Sequence, residues 1–281
     1  MPSPAAGDDA SGGSEASAPP DASVPTTPTT APATPTTPGA SGSQTLATLD
    51  FEDGQLGTWT LVKGSDGARA AAVSQVVSDV HARGSKAFKV VADQAVDAAT
   101  SATDGTYLRQ DRLWPLSPNK FYLRFFLRLS QALGDGHIAL VEARGKGSGQ
   151  GALTAVRMGG QFGMLVANLE ATDGNRSSGG NSFAGDPRNA PGVKLAANTW
   201  YCMEILFDTV QPALRVWLDD RAIDNLTVTQ NADWTSPPAA GARWMPNISE
   251  IELGWRGYNG QGNTVFFDDI VVARERVGCS P

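Results

Sequence analysis

Residues 199–223, TWYCMEILFDTVQPALRVWLDDRAI, constrain the fold more than any other stretch of the chain. Two runs of β-type residues flank a break at Gln211-Pro212, and the second run closes on Asp219-Asp220. Apolar residues alternate with period two in each run, as in a strand with one buried face. The end of the chain, NTVFFDDIVVARERVGC, reads as a further strand and finishes at Cys279. Only one other cysteine exists, Cys202 in the first run, so a Cys202–Cys279 disulfide is expected. Two cysteines alone also allow a pair of buried thiols. A late hairpin, a terminal strand and one long-range cysteine pair suggest a secreted β-sandwich.

The first 44 residues are a different material. They hold nine of the eighteen prolines and no aromatic, Leu, Ile, Lys or Arg. Such a segment buries too little apolar surface to offset chain entropy and should be disordered. Its Thr/Pro part reads as an extended spacer that tethers a globular domain. Residues 45–281 carry all seven tryptophans and form one domain. There the net charge is modest, 25 acids against 22 bases, with no basic stripe for nucleic acid. No run of 18 apolar residues predicts a membrane span. No signal peptide is visible at the start, so the secreted or cell-surface location rests on the spacer and the cysteines.

The pattern predicts ten to twelve strands and no helix, hence an all-β, two-sheet antiparallel jelly roll. KFYLRFFLRLS (120–130) is the clearest strand. Phe121, Leu123, Phe125 and Leu127 fall on one face, and Tyr122, Arg124, Phe126 and Arg128 on the other. A hairpin is expected around Gly159-Gly160, and a long surface loop over 173–192.

The chain has no G-x-S-x-G elbow, and its GKGSGQG loop fits no phosphate-binding pattern. Two histidines cannot build a histidine-rich zinc site. Glu250 and Glu252 lie two apart on one strand and read as exposed strand carboxylates. Proton abstraction beside a uronate carboxylate needs a cation or amide to neutralise that carboxylate, and a Tyr or His near the proton. Arg124, His137, Arg157 and Tyr258 are the candidate catalytic set. Tyr122, Arg128, Gln161 and Asn168 are the candidate substrate contacts. Arg124, His137 and Arg157 are expected to project from one sheet surface. Separately, Glu52 could meet Asp268 or Asp269, with carbonyls of the 83–86 turn completing an oxygen cage for Ca²⁺. Only one of the two consecutive aspartates would serve, since neighbours on a strand face opposite sides.

FEDGQLGTW, GSKAFKV, TWYCMEILFD…LRVWLDD and FFDDIVVARERVGC together resemble the concanavalin-like lectin/glucanase sandwich. Within it they are similar to secreted bacterial relatives of the fungal cellulose-induced protein and of glucuronan and heparin lyase-type jelly rolls. The resemblance implies a groove on one sheet and a structural calcium on Glu52 and Asp268 or Asp269. A protein that binds polysaccharide in that groove is the first expectation, and a monomer is expected. A uronate lyase acting by β-elimination is the alternative, and a calcium-stabilised structural or adhesion domain a second one.

Overall fold

The computed structural model describes residues 44–64, 71, 73–92, 105–146, 153–171, 182–184, 192–234, 243–258 and 262–280. The expected tail, apart from Gln44, lies outside the described residues, as does most of the 173–192 segment. Strands dominate. In chain order they are β1 (Thr45–Leu49), β2 (Thr60–Lys63), β3 (Val73–Val77), β4 (Ala87–Ala92) and β5 (Gly105–Gln110). Next come β6 (Lys120–Leu129), β7 (Ile138–Lys146), β8 (Leu153–Gln161), β9 (Met164–Ala171) and β10 (Ser182–Ala184). The last five are β11 (Trp200–Asp208), β12 (Ala213–Leu218), β13 (Arg221–Ala222), β14 (Asn247–Gly257) and β15 (Asn263–Ala273).

All pairings are antiparallel, and they build two sheets. The first runs β13-β12-β11-β6-β15-β4-β3, and β1 also pairs with β15. The second runs β10-β9-β8-β7-β14-β5-β2. This is the all-β sandwich expected from the alternation. Phe121, Leu123, Phe125, Leu127 and Leu129 of β6 are at most 1% exposed and enter the core, as their period-two spacing requires. Phe88, Phe207 and Phe267 face them from the same sheet, and Leu108, Val141, Val156 and Leu253 come from the other. The hairpin β12–β13 turns at Asp219 (φ 49°) and Asp220 (φ 64°). Two consecutive left-handed residues suit a two-residue hairpin, and aspartate tolerates them.

Three details differ from the sequence expectation. The β8–β9 hairpin turns at Phe162-Gly163, three residues after the expected glycine pair. Gly159 instead lies inside β8, at a position where a Cβ would collide with the Ile138 carbonyl oxygen on β7, so only glycine fits. The short strand β10 lies within the segment expected as loop. β2, which pairs with β5, and β3, which pairs with β4, carry little sequence signal because both are short and half-exposed.

β15 organises the first sheet. Its first half pairs with β4 (Asn263↔Ala92 to Phe267↔Phe88) and its second half with β1 (Leu49↔Ile270, Thr45↔Ala273). Between the halves, Asp269 takes φ 46° and the register against β6 slips between Asp268 and Val271. This bulge brings both aspartates to the outer side of the sheet. The expectation that only one of them could reach a common corner is therefore corrected.

The tail after β15 folds back over that outer side. Glu204 of β11, fully buried, accepts hydrogen bonds from Arg276 Nε (2.9 Å) and Val277 N (2.6 Å). The Arg276 guanidinium lies 4.6 Å from the Trp217 ring centre. Cys279 N donates to Asp220 (3.1 Å), and Cys279 is bonded to Cys202, with Cα atoms 5.8 Å apart. The disulfide closes a loop of 77 residues that runs from β11 through β15. Replacing both cysteines by serine is expected to cost about 2–4 kcal/mol, mostly through the unfolded chain. That corresponds to a fall in Tm of roughly 5–15 °C, measured by scanning calorimetry. An unchanged Tm would show that the Glu204–Arg276 contacts alone hold the tail.

Candidate functional site

On the second sheet, strand register places one row of side chains on the face away from the core. Arg109 (β5) is opposite Glu252 (β14), Glu252 opposite Glu142 (β7), Glu142 opposite Arg157 (β8), and Arg157 opposite Asn168 (β9). Each of these alternates with core neighbours, as Glu142 does with Val141 and Ala143. Yet most are deeply buried: Glu142 and Glu252 at 0%, Asn168 at 1%, Arg157 at 7%. A buried carboxylate requires partners.

Glu142 has three. Its Oε1 accepts from the Tyr107 hydroxyl at 3.0 Å and lies 3.3 Å from Arg157 Nε and 3.7 Å from Arg256 Nη1. Its Oε2 has no hydrogen-bond partner among the described residues. Burial, and next the Glu142 charge, push the Tyr107 hydroxyl well above the usual phenol range. Glu252 takes the other arginines. Arg109 reaches it at 2.5 Å and Arg144 at 3.5 Å, and both also approach Glu250. Burial, and then Glu142, raise the Glu252 carboxyl above its ordinary value, against the pull of Arg109. The expectation that Glu250 and Glu252 are exposed carboxylates is thus corrected: they anchor an arginine lattice.

To one side of this row, at the strand ends of β7 and β14, stand His137 and Tyr258. His137 immediately precedes β7, and Tyr258 immediately follows β14. Tyr258 N donates to the His137 carbonyl at 2.9 Å, so the two residues are cross-strand neighbours. Their rings stack, with centres 4.7 Å apart and planes 18° apart. The guanidinium carbons of Arg157 and Arg256 lie 5.3 and 5.5 Å from the Tyr258 ring centre. Just along the strands, the register slips between Leu253 and Arg256 on β14, and between Ala139 and Val141 on β7. Such bulges re-aim side chains. Burial, and then the Arg157 charge, lower the His137 imidazole to about 4, with Glu142 opposing. The imidazole is therefore neutral at ordinary pH.

His137, Arg157 and Tyr258 are brought together. Asn168 adjoins Arg157 in the row, and neither of its side-chain polar atoms has a hydrogen-bond partner among the described residues. Gln161 ends β8 on the same face, two alternations beyond Arg157. Arg124 does not join them. It belongs to β6 in the first sheet, where its Nη1 donates to the Asp269 carbonyl and to Asp269 Oδ2, both at 2.6 Å. Tyr122 and Arg128 share that outer face of the first sheet. The expected single surface for Arg124, His137 and Arg157 therefore does not exist. β6 and β7 are consecutive in sequence but lie in different sheets, a separation that strand alternation cannot reveal. Glu142, Arg256 and Tyr107 were missed. The available signal was a charge at an alternate position inside an apolar strand, as in HIALVEARG and IELGWRGY.

Glu52 and Asp268 do converge on the 83–86 turn, chiefly as acceptors of N–H groups. Glu52 accepts from Ser85 N, Ser85 Oγ and Lys86 N at 2.6–3.0 Å. Asp268 Oδ2 accepts from Ala82 N and Arg83 N at 2.7 and 2.9 Å. Asp269 pairs with Arg83 as well as Arg124. Asp268 Oδ1 is buried, and no well-aligned donor meets it among the described residues. Among the described residues, no group of three or more His, Cys, Asp or Glu side chains is placed to hold a metal ion.

With this geometry in hand, comparison with known proteins is decisive for the family. The profile described as "Polysacc_lyase-like: Cip1-like, core domain" matches residues 50–275. The chain belongs to this Cip1-like family. Among solved structures, it is similar to "Cellulose induced protein, Cip1", at 26% identity and a TM-score of 0.65. That match covers 83% of this chain and all of the other. An endo-β-1,4-glucuronan lyase from the fungus Trichoderma reesei shares the fold, with a TM-score of 0.55 at 12% identity, over 82% of this chain and 96% of that one. No curated protein matches the sequence. The family's sandwich is thus the fold described above, as the resemblance implied.

The neutral His137 gives a pH prediction. Its folded value lies below its unfolded value of 6.5, so the unfolded chain binds the proton first. This contribution to stability is fully present above pH 6.5 and is lost as pH falls towards 4. Urea unfolding at pH 7 and pH 4.5 is expected to differ by about 2 kcal/mol more in the native sequence than in His137→Gln. Equal pH dependence in the two proteins would contradict a buried neutral imidazole.

Proposed function

We propose that the outer face of the second sheet binds an acidic polysaccharide and cleaves it beside a uronate by β-elimination. The observation that carries this reading is the meeting of a neutral histidine, a tyrosine and two arginines at one point, with His137 and Tyr258 stacked at 4.7 Å. Membership of a polysaccharide lyase-like family supports it. The disulfide fits a protein that works outside the cell, where such bonds persist. Among the described residues, no helix is long and apolar enough to cross a membrane.

In the proposed reaction, Arg157 and the Asn168 amide hold the uronate carboxylate and offset charge as it builds in the transition state. Neutral His137 accepts the C5 proton. The C5–H electron pair forms the C4–C5 double bond, the C4–O4 bond breaks, and the Tyr258 hydroxyl gives its proton to the departing oxygen. Glu142 touches no substrate in this scheme. It keeps Arg157 and Arg256 beside Tyr258. Two clefts, of about 570 Å³ beside Trp244 and about 590 Å³ beside Ile223, hold none of these residues.

The test is ultraviolet absorbance of unsaturated uronate released from polyglucuronate and related uronate polymers. His137→Gln and Tyr258→Phe are each expected to lower the rate by about 100-fold or more, with the Tm within a few degrees of the native value. Retained polymer binding with no unsaturated product from the native protein, across pH 5–9, would leave a binding module in place of a lyase.

Structural calcium at the Glu52–Asp268 corner belongs to the same proposal. Asp268 Oδ1 is the atom that supports it, as a buried oxygen that no well-aligned donor meets among the described residues. Glu52 and carbonyls of the 83–86 turn would complete the oxygen ligands after a local shift of the turn. Millimolar calcium is then expected to raise the Tm by several degrees over protein treated with chelator, by linkage. Identical melting curves would remove calcium from the account.

A further inference from the structure

The outer face of the first sheet carries a second, separate row. In direct register lie Lys89 (β4), Phe266 (β15), Arg128 (β6) and Trp200 (β11). Four adjacent strands make this row about 14 Å long. Lys89 Nζ lies 5.7 Å and the Arg128 guanidinium 5.2 Å from the Phe266 ring centre, and the Trp200 ring meets Phe266 edge-on at 6.3 Å. Phe266 is 4% exposed, whereas Lys89, Arg128 and Trp200 are partly open to solvent.

The two cations differ from three other arginines of this face, although exposed Arg215 on β12 likewise forms no ion pair among the described residues. Arg83, Arg124 and Arg276 are all committed to carboxylates. Lys89 and Arg128 form no ion pair among the described residues, and Arg128 donates only to the neutral Asn198 Oδ1, at 2.9 Å. No acid stands in the row. Along the strands on one side come Val91, Thr264 and Ser130, all neutral. On the other side Asp268 is 1% exposed and occupied by backbone N–H groups, and Asp219, which is exposed, accepts from Cys202 N beyond Trp200. The strip thus offers two positive charges without an ion-pair partner among the described residues, both against the Phe266 ring, and an indole beside them. Stacked, partly desolvated cations favour anionic partners with flat apolar faces, and pyranose rings bearing carboxylates have both properties.

We infer that this strip is an accessory binding surface for an acidic polysaccharide, on the opposite side of the sandwich from the proposed reaction site. Lys89 and Arg128 take the carboxylates, and Trp200 takes a sugar face. The inference rests on the proposed function for the class of polymer alone. No residue is shared between the two sites. A polymer engaged by both faces is retained after each cleavage, since a second contact acts at high effective concentration.

The test measures affinity electrophoresis of the full chain in gels containing polyglucuronate, with hydroxyethyl cellulose as the neutral control. All proteins carry His137→Gln to slow polymer cleavage. Adding Lys89→Gln and Arg128→Gln, which keep the side-chain stems, is expected to weaken retardation by polyglucuronate roughly tenfold, the worth of one charge-assisted hydrogen bond. Retardation by the neutral polymer stays unchanged. Lys89→Gln alone, at the more peripheral position, gives a smaller loss in the same direction. Retardation equal to the parent in both variants overturns the strip, as does equal weakening on the neutral polymer. The same substitutions in the otherwise native protein leave cleavage of a uronate trisaccharide unchanged, because so short a substrate cannot reach both faces. Absence of any cleavage in the native protein would count against the reaction site, and the gels would still decide the strip.

Discussion

A fully buried carboxylate in the middle of a sheet is the constraint around which the functional face is arranged. Glu142 alternates with core residues and so must point outward, yet it has no solvent to satisfy it. An uncompensated charge there would be costly, so Tyr107, Arg157 and Arg256 gather on one of its oxygens from three other strands of the sheet. That gathering has a second effect. The arginines brought in to neutralise Glu142 also lie over Tyr258, and the positive charge of Arg157 helps keep His137 unprotonated. Charge compensation inside the fold and preparation of a proton acceptor are here one arrangement.

The two sheets divide the remaining work. On the first, ionic contacts are structural. Asp268 and Asp269, turned to one side by a bulge, hold the 83–86 turn and Arg124, while Glu204 and the disulfide hold the tail. Lys89 and Arg128, beside Phe266 on that side, form no ion pair among the described residues. On the second sheet, the lattice of Arg109, Arg144, Glu250 and Glu252 continues from Glu142 across the strands. Paired charges of this kind fix side-chain positions more than they add stability, because burial opposes their attraction.

Much of the fold was legible in the chain because alternation reports burial directly. The faces of β6, the hairpin of β11 and β12, the Asp219-Asp220 turn and the Cys202–Cys279 pair all follow from local pattern or from having one possible partner. The site was legible in part. His137, Arg157 and Tyr258 were identifiable as side chains suited to proton transfer and carboxylate binding. Their grouping was not, because a period of two distinguishes inside from outside without saying which sheet a strand enters. Arg124 was assigned to the wrong sheet for that reason. Bulges were equally hidden: one extra residue at Asp269 or beside Trp255 changes which side chains meet, and no composition signal marks it. Glu142 was overlooked because a charge inside HIALVEARG reads as an exposed strand residue until its neighbours are known.

The central claim is that the Glu142-centred cluster receives a uronate. A crystal structure of the Tyr258→Phe protein with a glucuronate tetrasaccharide tests it most directly. The account predicts a sugar carboxylate within about 3 Å of Arg157 and the Asn168 amide, with the C5 hydrogen directed at the His137 ring. A tetrasaccharide bound only elsewhere, with Arg157 and Asn168 untouched, would contradict it.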